Sequence, residues 1–463
     1  MSNSITRVKV WEGNYLIFQK FLSVFWIIIF LGSRDFLGFG HVIGYPDGIQ
    51  LLINRLSLSN IAIILFSFLL FKRYKNYYTI DSFGRSFIFV SSIVFILIII
   101  NPNNNFTSLK QAILGYDQKC FYTYIVFFSS IYFLPPKFIY IVVKSLFVSG
   151  IKIGFSILVI ALWYYLFDKG LMLFGHKSTI VHADILQTLS IFAIILMFLF
   201  YTEKKKRNLL YVSIIMLTVF LSFRRSAFWF FVITAIIITY YLLLNRLVLK
   251  RTLGYVVIVG ASSVLLIGIF NSESFDLNYY FQRQLAAFAF FTNDKFGSKN
   301  IYLTDSNHIF SSIESSKFIY HSIFNNFWGN GINISFMDSS NNVFGASRGG
   351  THNSFAFVVI RYGVFMLIYY IFIIHKLLAV LISNRKLVKL TMPVEVLYSY
   401  LGIMILLLNI LSTWSPTMVT FIFADANSIV QFVCLFPLIK IVENYGKSKN
   451  IYSVSRLATT SSN

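Results

Sequence analysis

The sequence is poor in what water-soluble folds need. Asp, Glu, Lys and Arg make up only 12% of it, about half the share usual in a soluble domain. With 57% hydrophobic residues, that scarcity excludes a soluble enzyme with one water-exposed shell, and a disordered chain as well. Only two cysteines occur, Cys120 and Cys434, far apart and in or beside apolar runs; the chain is not a disulfide scaffold. It has no DxD pair for a metal-bound nucleotide sugar, no phosphate-binding P-loop, no HExxH and no CxxC. His176 and His182 are too loosely spaced to argue for zinc. No metal or cofactor is therefore expected. No small-residue cleavage site follows the first apolar run, so that run reads as a retained helix.

What the chain has is apolar length, with a mean hydropathy of +0.73. Apolar runs fall near 16–32, 51–71, 84–100, 120–134, 138–167, 185–201, 208–222, 227–244, 252–270, 353–375, 394–412 and 428–442. A bilayer core takes about 20 residues of helix. In lipid the backbone must satisfy its own polar groups, so each run reads as a helix. The expected fold is an all-α polytopic membrane protein of about 12 transmembrane helices with one large extracytoplasmic loop. The division is helices 1–9 over 1–270, the loop over 271–352, helices 10–12 over 353–443, and a tail over 444–463.

The formal charge of +22 comes in short clusters between the runs, not in the single patch that would suit nucleic acid. One set of alternate segments holds 20 Lys and Arg, including Lys72, Arg73, Lys204, Lys205, Lys206 and Arg207. The short loops of the other set hold 7. The positive-inside rule then puts both termini in the cytoplasm. Residues 271–352 lie outside on this topology. Their aromatics, among them Tyr279, Phe291 and Trp328, argue for an ordered and functional segment. Tyr279 to Phe291 reads as an interfacial helix.

Four features carry candidate chemistry. The outer turn Ser222-Phe223-Arg224-Arg225-Ser226-Ala227 sets two arginines at a membrane boundary. Their forked N–H groups suit a pyrophosphate; the plainer reading is a snorkelling anchor. Thr351-His352-Asn353 stands where the loop returns to the membrane. His352 there is a general base, a phosphate hydrogen-bond donor, or a solvated helix-start residue that Asn353 caps. Six of the seven histidines lie on the outer side, so side alone does not select it. In Trp328-Gly329-Asn330-Gly331 the glycines let backbone approach an anion or sugar closely, or simply make a turn. Arg361, nine residues into the tenth run, is costly in lipid and points to a cavity or a partner.

Together these pieces resemble the O-antigen ligase / O-antigen polymerase (Wzy-type) family of bacterial envelope enzymes. Arg225-Ser226-Ala227 resembles that family's Ser-Arg-Gly-Ala-like turn, with Ser226 for Gly. Gly329-Asn330-Gly331 resembles its loop motif, and His352-Asn353 with Gly363 its His-Asn-x9-Gly. The chain departs from the pattern at Met366, where the family often has a second Gly, and at Arg361, where an acid is common. The family's loop Arg is missing from 306–316, leaving Arg283, Lys317 and Arg348 as substitutes.

The resemblance implies a GT-C-like enzyme of the bacterial inner membrane. It implies metal-independent, inverting transfer of an undecaprenyl-pyrophosphate-linked glycan at the outer face. Arg225, with Arg224, Arg348 or Arg283, would stabilise the pyrophosphate. His352 would serve the acceptor hydroxyl or the phosphate, while Asn353, Gly329 and Gly331 would shape the glycan site. Implied partners are the lipid-linked donor and acceptor, membrane lipid, a chain-length regulator and a flippase. Polymerase is the favoured activity, with a ligase that moves glycan to lipid A–core as its rival. A lipid-linked oligosaccharide flippase is the reading from another class.

Overall fold

The computed structural model describes residues 18, 20–29, 58–103, 121–167, 183–203, 206–221, 225–244, 324, 327–329, 359, 362–385, 393–412 and 434–448. Among them the regular structure is all helical. In chain order the helices are α1 (Lys20–Ile29), α2 (Leu58–Tyr74), α3 (Ser82–Ile99), α4 (Phe121–Tyr132), α5 (Pro136–Phe167), α6 (Ala183–Glu203), α7 (Lys206–Leu221), α8 (Arg225–Leu244), α9 (Val364–Asn384) and α10 (Val394–Ser412). A last helix, α11, covers 439–448.

Local chemistry explains several boundaries. Asp81 caps α3, its carboxylate accepting the Gly84 N–H at 2.6 Å, which satisfies one of the free donors of the first turn. Pro136 opens α5, where its missing N–H costs nothing. The Pro135 carbonyl accepts from Phe138 and Ile139 at 2.9 and 3.0 Å. Pro102 stands just past the end of α3, where the chain cannot continue the helix.

The helices are apolar all round. In α3, Gly84, Phe87, Ser91, Val94 and Ile98 face the protein, at the three-and-four spacing of one helical face. The opposite face is apolar too: Phe89 is 67% and Ile96 54% exposed. In α9, Tyr369, Ile373 and Leu377 are buried, while Ile368, Ile371 and Ile382 stand outside. Exposed apolar faces of this size belong in lipid rather than water. Four helices are long and apolar enough to cross a membrane: Ser82–Ile99, Pro136–Ser156, Val364–Asn384 and Val394–Leu411.

Two expectations need revision. Twelve spans and a large loop do not emerge from the described residues. Four helices meet the length, and the apolar stretches of α1, α6, α7 and α8 are shorter. The run at 252–270 lies outside the described residues, as does 271–352 apart from Phe324 and 327–329. Nor does the tenth run form one helix over 353–375. A helical turn closes with the Gly363 N–H on the Val359 carbonyl at 2.8 Å. Gly363 then leaves the helical region, at φ 76° and ψ −170°, and α9 starts afresh at Val364. The long helix thus begins after Arg361 and runs on past Lys376 to Asn384. Arg361 itself lies outside the described residues.

The core is aromatic. Phe25, Phe66 and Phe127 meet at 5.0 to 5.9 Å between ring centroids, and the Phe87 and Phe128 rings at 4.2 Å. Trp26 is fully buried and donates its indole N–H to the Leu146 carbonyl at 2.8 Å. Helices α3 and α9 run antiparallel. Phe83 stacks on Phe372 with centroids 6.0 Å apart, and eight residues further along α3 Ser91 shares a 2.8 Å hydrogen bond with Tyr369.

Candidate functional site

Two polar nodes stand at opposite ends of the α3–α9 pair. The first surrounds the residues after α3. The Asn101 side-chain oxygen accepts the Asn103 N–H at 2.9 Å, a local turn that asparagine favours. Its amide nitrogen donates to the Trp328 carbonyl at 2.6 Å. The Asn103 amide donates to the Gly329 carbonyl, also at 2.6 Å. The Val364 N–H, otherwise a free donor at the start of α9, takes the Phe327 carbonyl at 3.0 Å. Three consecutive carbonyls are thus held by donors from two other elements.

Packing at this node demands glycine. The backbone of Gly363 lies in a region that only glycine occupies readily. A Cβ there would stand 2.6 Å from the carbonyl carbon of Trp328 and would collide with the Phe327 oxygen. Gly329 turns the chain at φ 74°. Phe365 covers the junction, its ring 4.6 Å from Phe327 and 5.2 Å from Trp328. The chain therefore departs after Gly329 and comes back at Gly363 to the place it left. Residues 330–362 are an excursion with joined ends.

The structure thus brings together Gly329 and Gly363, one from each of two candidate motifs. Arg225 is the first residue of α8, and its side chain lies outside the described residues. Arg224, Arg283, Gly331, Arg348, His352 and Asn353 lie outside them entirely.

The second node joins α3, α4, α9 and α11, and sequence reasoning missed it. Lys440 is 5% exposed. Its ammonium donates to the carbonyls of Tyr132 at 3.1 Å and Thr79 at 3.3 Å, and to the Thr79 hydroxyl at 3.3 Å. The Tyr132 ring lies 5.4 Å from the same nitrogen, and the Tyr132 hydroxyl donates to Asp81 at 3.2 Å. Nearby, Lys376 pairs with Glu443 and sits 4.2 Å from the centre of the Phe83 ring. The Tyr78 hydroxyl donates to the Ser130 carbonyl at 2.8 Å, and burial pushes its pKa above the ordinary tyrosine value. Every charge here has partners, so the node holds helices together rather than offering a reactive group. The sequence signal was a lysine near the end of an apolar run. Cys434, just before α11, is a buried free thiol.

Compared with known proteins, the chain matches no family model, no curated protein and no solved structure.

Proposed function

We propose that the chain is a multi-pass glycosyltransferase of the bacterial inner membrane. It polymerises undecaprenyl-pyrophosphate-linked repeat units for O-antigen, capsule or exopolysaccharide. In this reading about twelve helices cross the membrane, both termini face the cytoplasm, and 271–352 faces outward. The acceptor hydroxyl attacks the anomeric carbon from the side opposite the leaving group. A new C–O bond forms, the bond to phosphate breaks, and lipid pyrophosphate departs with its electron pair. His352 takes the hydroxyl proton. Arg225, with Arg224 and Arg348 or Arg283, stabilises charge growing on the pyrophosphate. Gly329, Gly331 and Asn353 shape the glycan side. Arginines fill the place a metal has in other glycosyl transfers.

The observation that carries the proposal is the junction at Gly363. The two motifs that resemble the family are distant in sequence, yet Gly329 of one and Gly363 of the other belong to one hydrogen-bonded knot. The knot joins the ends of the segment that carries His352. It also lies beside the start of α9, an apolar helix long enough to span a membrane, as a site for a lipid-borne substrate requires.

The test is polymerisation of a purified lipid-linked repeat unit in EDTA, with glycan analysis of a deletion strain carrying Arg225→Ala or His352→Ala. We expect a ladder of products in EDTA and a loss of about 100-fold or more in each variant. An absolute need for Mg²⁺, or full activity in both variants, overturns the proposal. Transfer onto lipid A–core without chain growth makes the protein a ligase instead.

A further inference from the structure

The knot has a consequence for the catalysis proposed above, on which this inference rests. Residues 330–362 hold Arg348, His352 and Asn353, and the ends of this segment are fixed at Gly329 and Gly363. The Gly363 end belongs to the start of α9. At the Gly329 end, the two carbonyls that continue into the segment are held by side chains: Trp328 by Asn101 and Gly329 by Asn103. We propose that Asn101 and Asn103 are positioning residues that hold the His352-bearing segment in register with the α3–α9 pair.

The two amides suit this work for different reasons. Asn101 is buried and also accepts the Asn103 N–H, so it orders the bracket itself. Asn103 is exposed, yet its amide nitrogen is committed to Gly329 at 2.6 Å. An exposed residue with a directed bond to a loop root is easily changed without disturbing the core. Closing a long loop costs free energy that grows only with the logarithm of its length. A few hydrogen bonds at the root therefore restrict the whole excursion. Asp is nearly the same shape as Asn but cannot donate when ionised, and its charge would face a carbonyl oxygen. Releasing one end lowers the fraction of molecules with the segment in place, and turnover falls with that fraction. Donor affinity, set chiefly by Arg224 and Arg225 outside the segment, changes little.

The experiment uses the full chain in lipid nanodiscs, as wild type, N101D, N103D, N103A and N103Q. Two readouts are taken: amide hydrogen exchange in peptides covering 327–329 and 363–366, and kcat and KM with a lipid-linked repeat unit. For N103D and N103A we expect exchange about fivefold faster, as the loss of one hydrogen bond gives. We also expect kcat about tenfold lower, with KM altered less than about twofold. N103Q, which keeps a donor, should recover part of kcat. Wild-type exchange in N103D overturns the bracket, and faster exchange with full kcat overturns its positioning role. If only N101D fails to fold, Asn101 is structural and the proposal falls for that residue, while Asn103 is decided by its own variants. If the wild type makes no polymer, the transferase reading fails, and the exchange rates still decide whether the amides hold the knot.

Discussion

Gly363 lies so close to the carbonyl of Phe327 that no side chain fits between them. The contact joins the first residue before α9 to a turn far upstream in sequence, and fixes where the long helix starts. Gly363→Ala should therefore destabilise the protein by about 2 kcal/mol or more. Backbone strain and a forced shift of the 327–329 turn both contribute. Thermal unfolding in detergent measures it. An unchanged midpoint would mean that α9 is not held on that turn.

Ser91 and Tyr369 share a buried hydrogen bond across the α3–α9 contact. In a double-mutant cycle with Ser91→Ala and Tyr369→Phe, the coupling should be about 0.6 kcal/mol and no more than about 1.7. Additive effects would mean that packing alone pairs the helices.

Lys440 and Lys376 should rank differently. Lys440→Met leaves the Thr79 and Tyr132 carbonyls without their donor and should cost about 2–3 kcal/mol. The Lys376–Glu443 pair is partly exposed, so Lys376→Met should cost less than about 1 kcal/mol. Unfolding midpoints of the two variants decide the order; equal losses would show that the carbonyl cage adds nothing.

Alkaline pH should weaken the Tyr78 contact. Its pKa is raised in the folded protein by burial, so the folded state keeps the proton that the unfolded state loses. The contribution is complete below the ordinary tyrosine pKa, about 10, and declines as pH rises above it. Between about pH 9.5 and 11 the wild type should lose stability more steeply than Tyr78→Phe, measured as the unfolding midpoint against pH. Parallel curves would remove Tyr78 from the account.

Part of this was legible in the sequence. The run at 84–100 lies on α3 and the run at 394–412 on α10, because both are apolar at nearly every position. The glycine motifs at 329 and 363 were singled out, but not their contact. Periodicity says nothing of which residue across the protein a glycine must make room for. The break at Gly363 was hidden by apolar residues on both sides of it, which read as one span. Lys440 and Asp81 were passed over since a single charge at the end of an apolar run looks like an interfacial anchor.

Composition alone determined that this chain is helical and suited to lipid. Helical hydrogen bonds are made within a segment, so an apolar stretch can settle its own backbone without knowing its neighbours. Only the tertiary structure decided that Asn101 holds Trp328 and that Lys440 holds Tyr132, residues 227 and 308 positions apart. Buried polar groups must find partners. Which partners they find depends on the side-by-side placement of helices, and no local pattern encodes that.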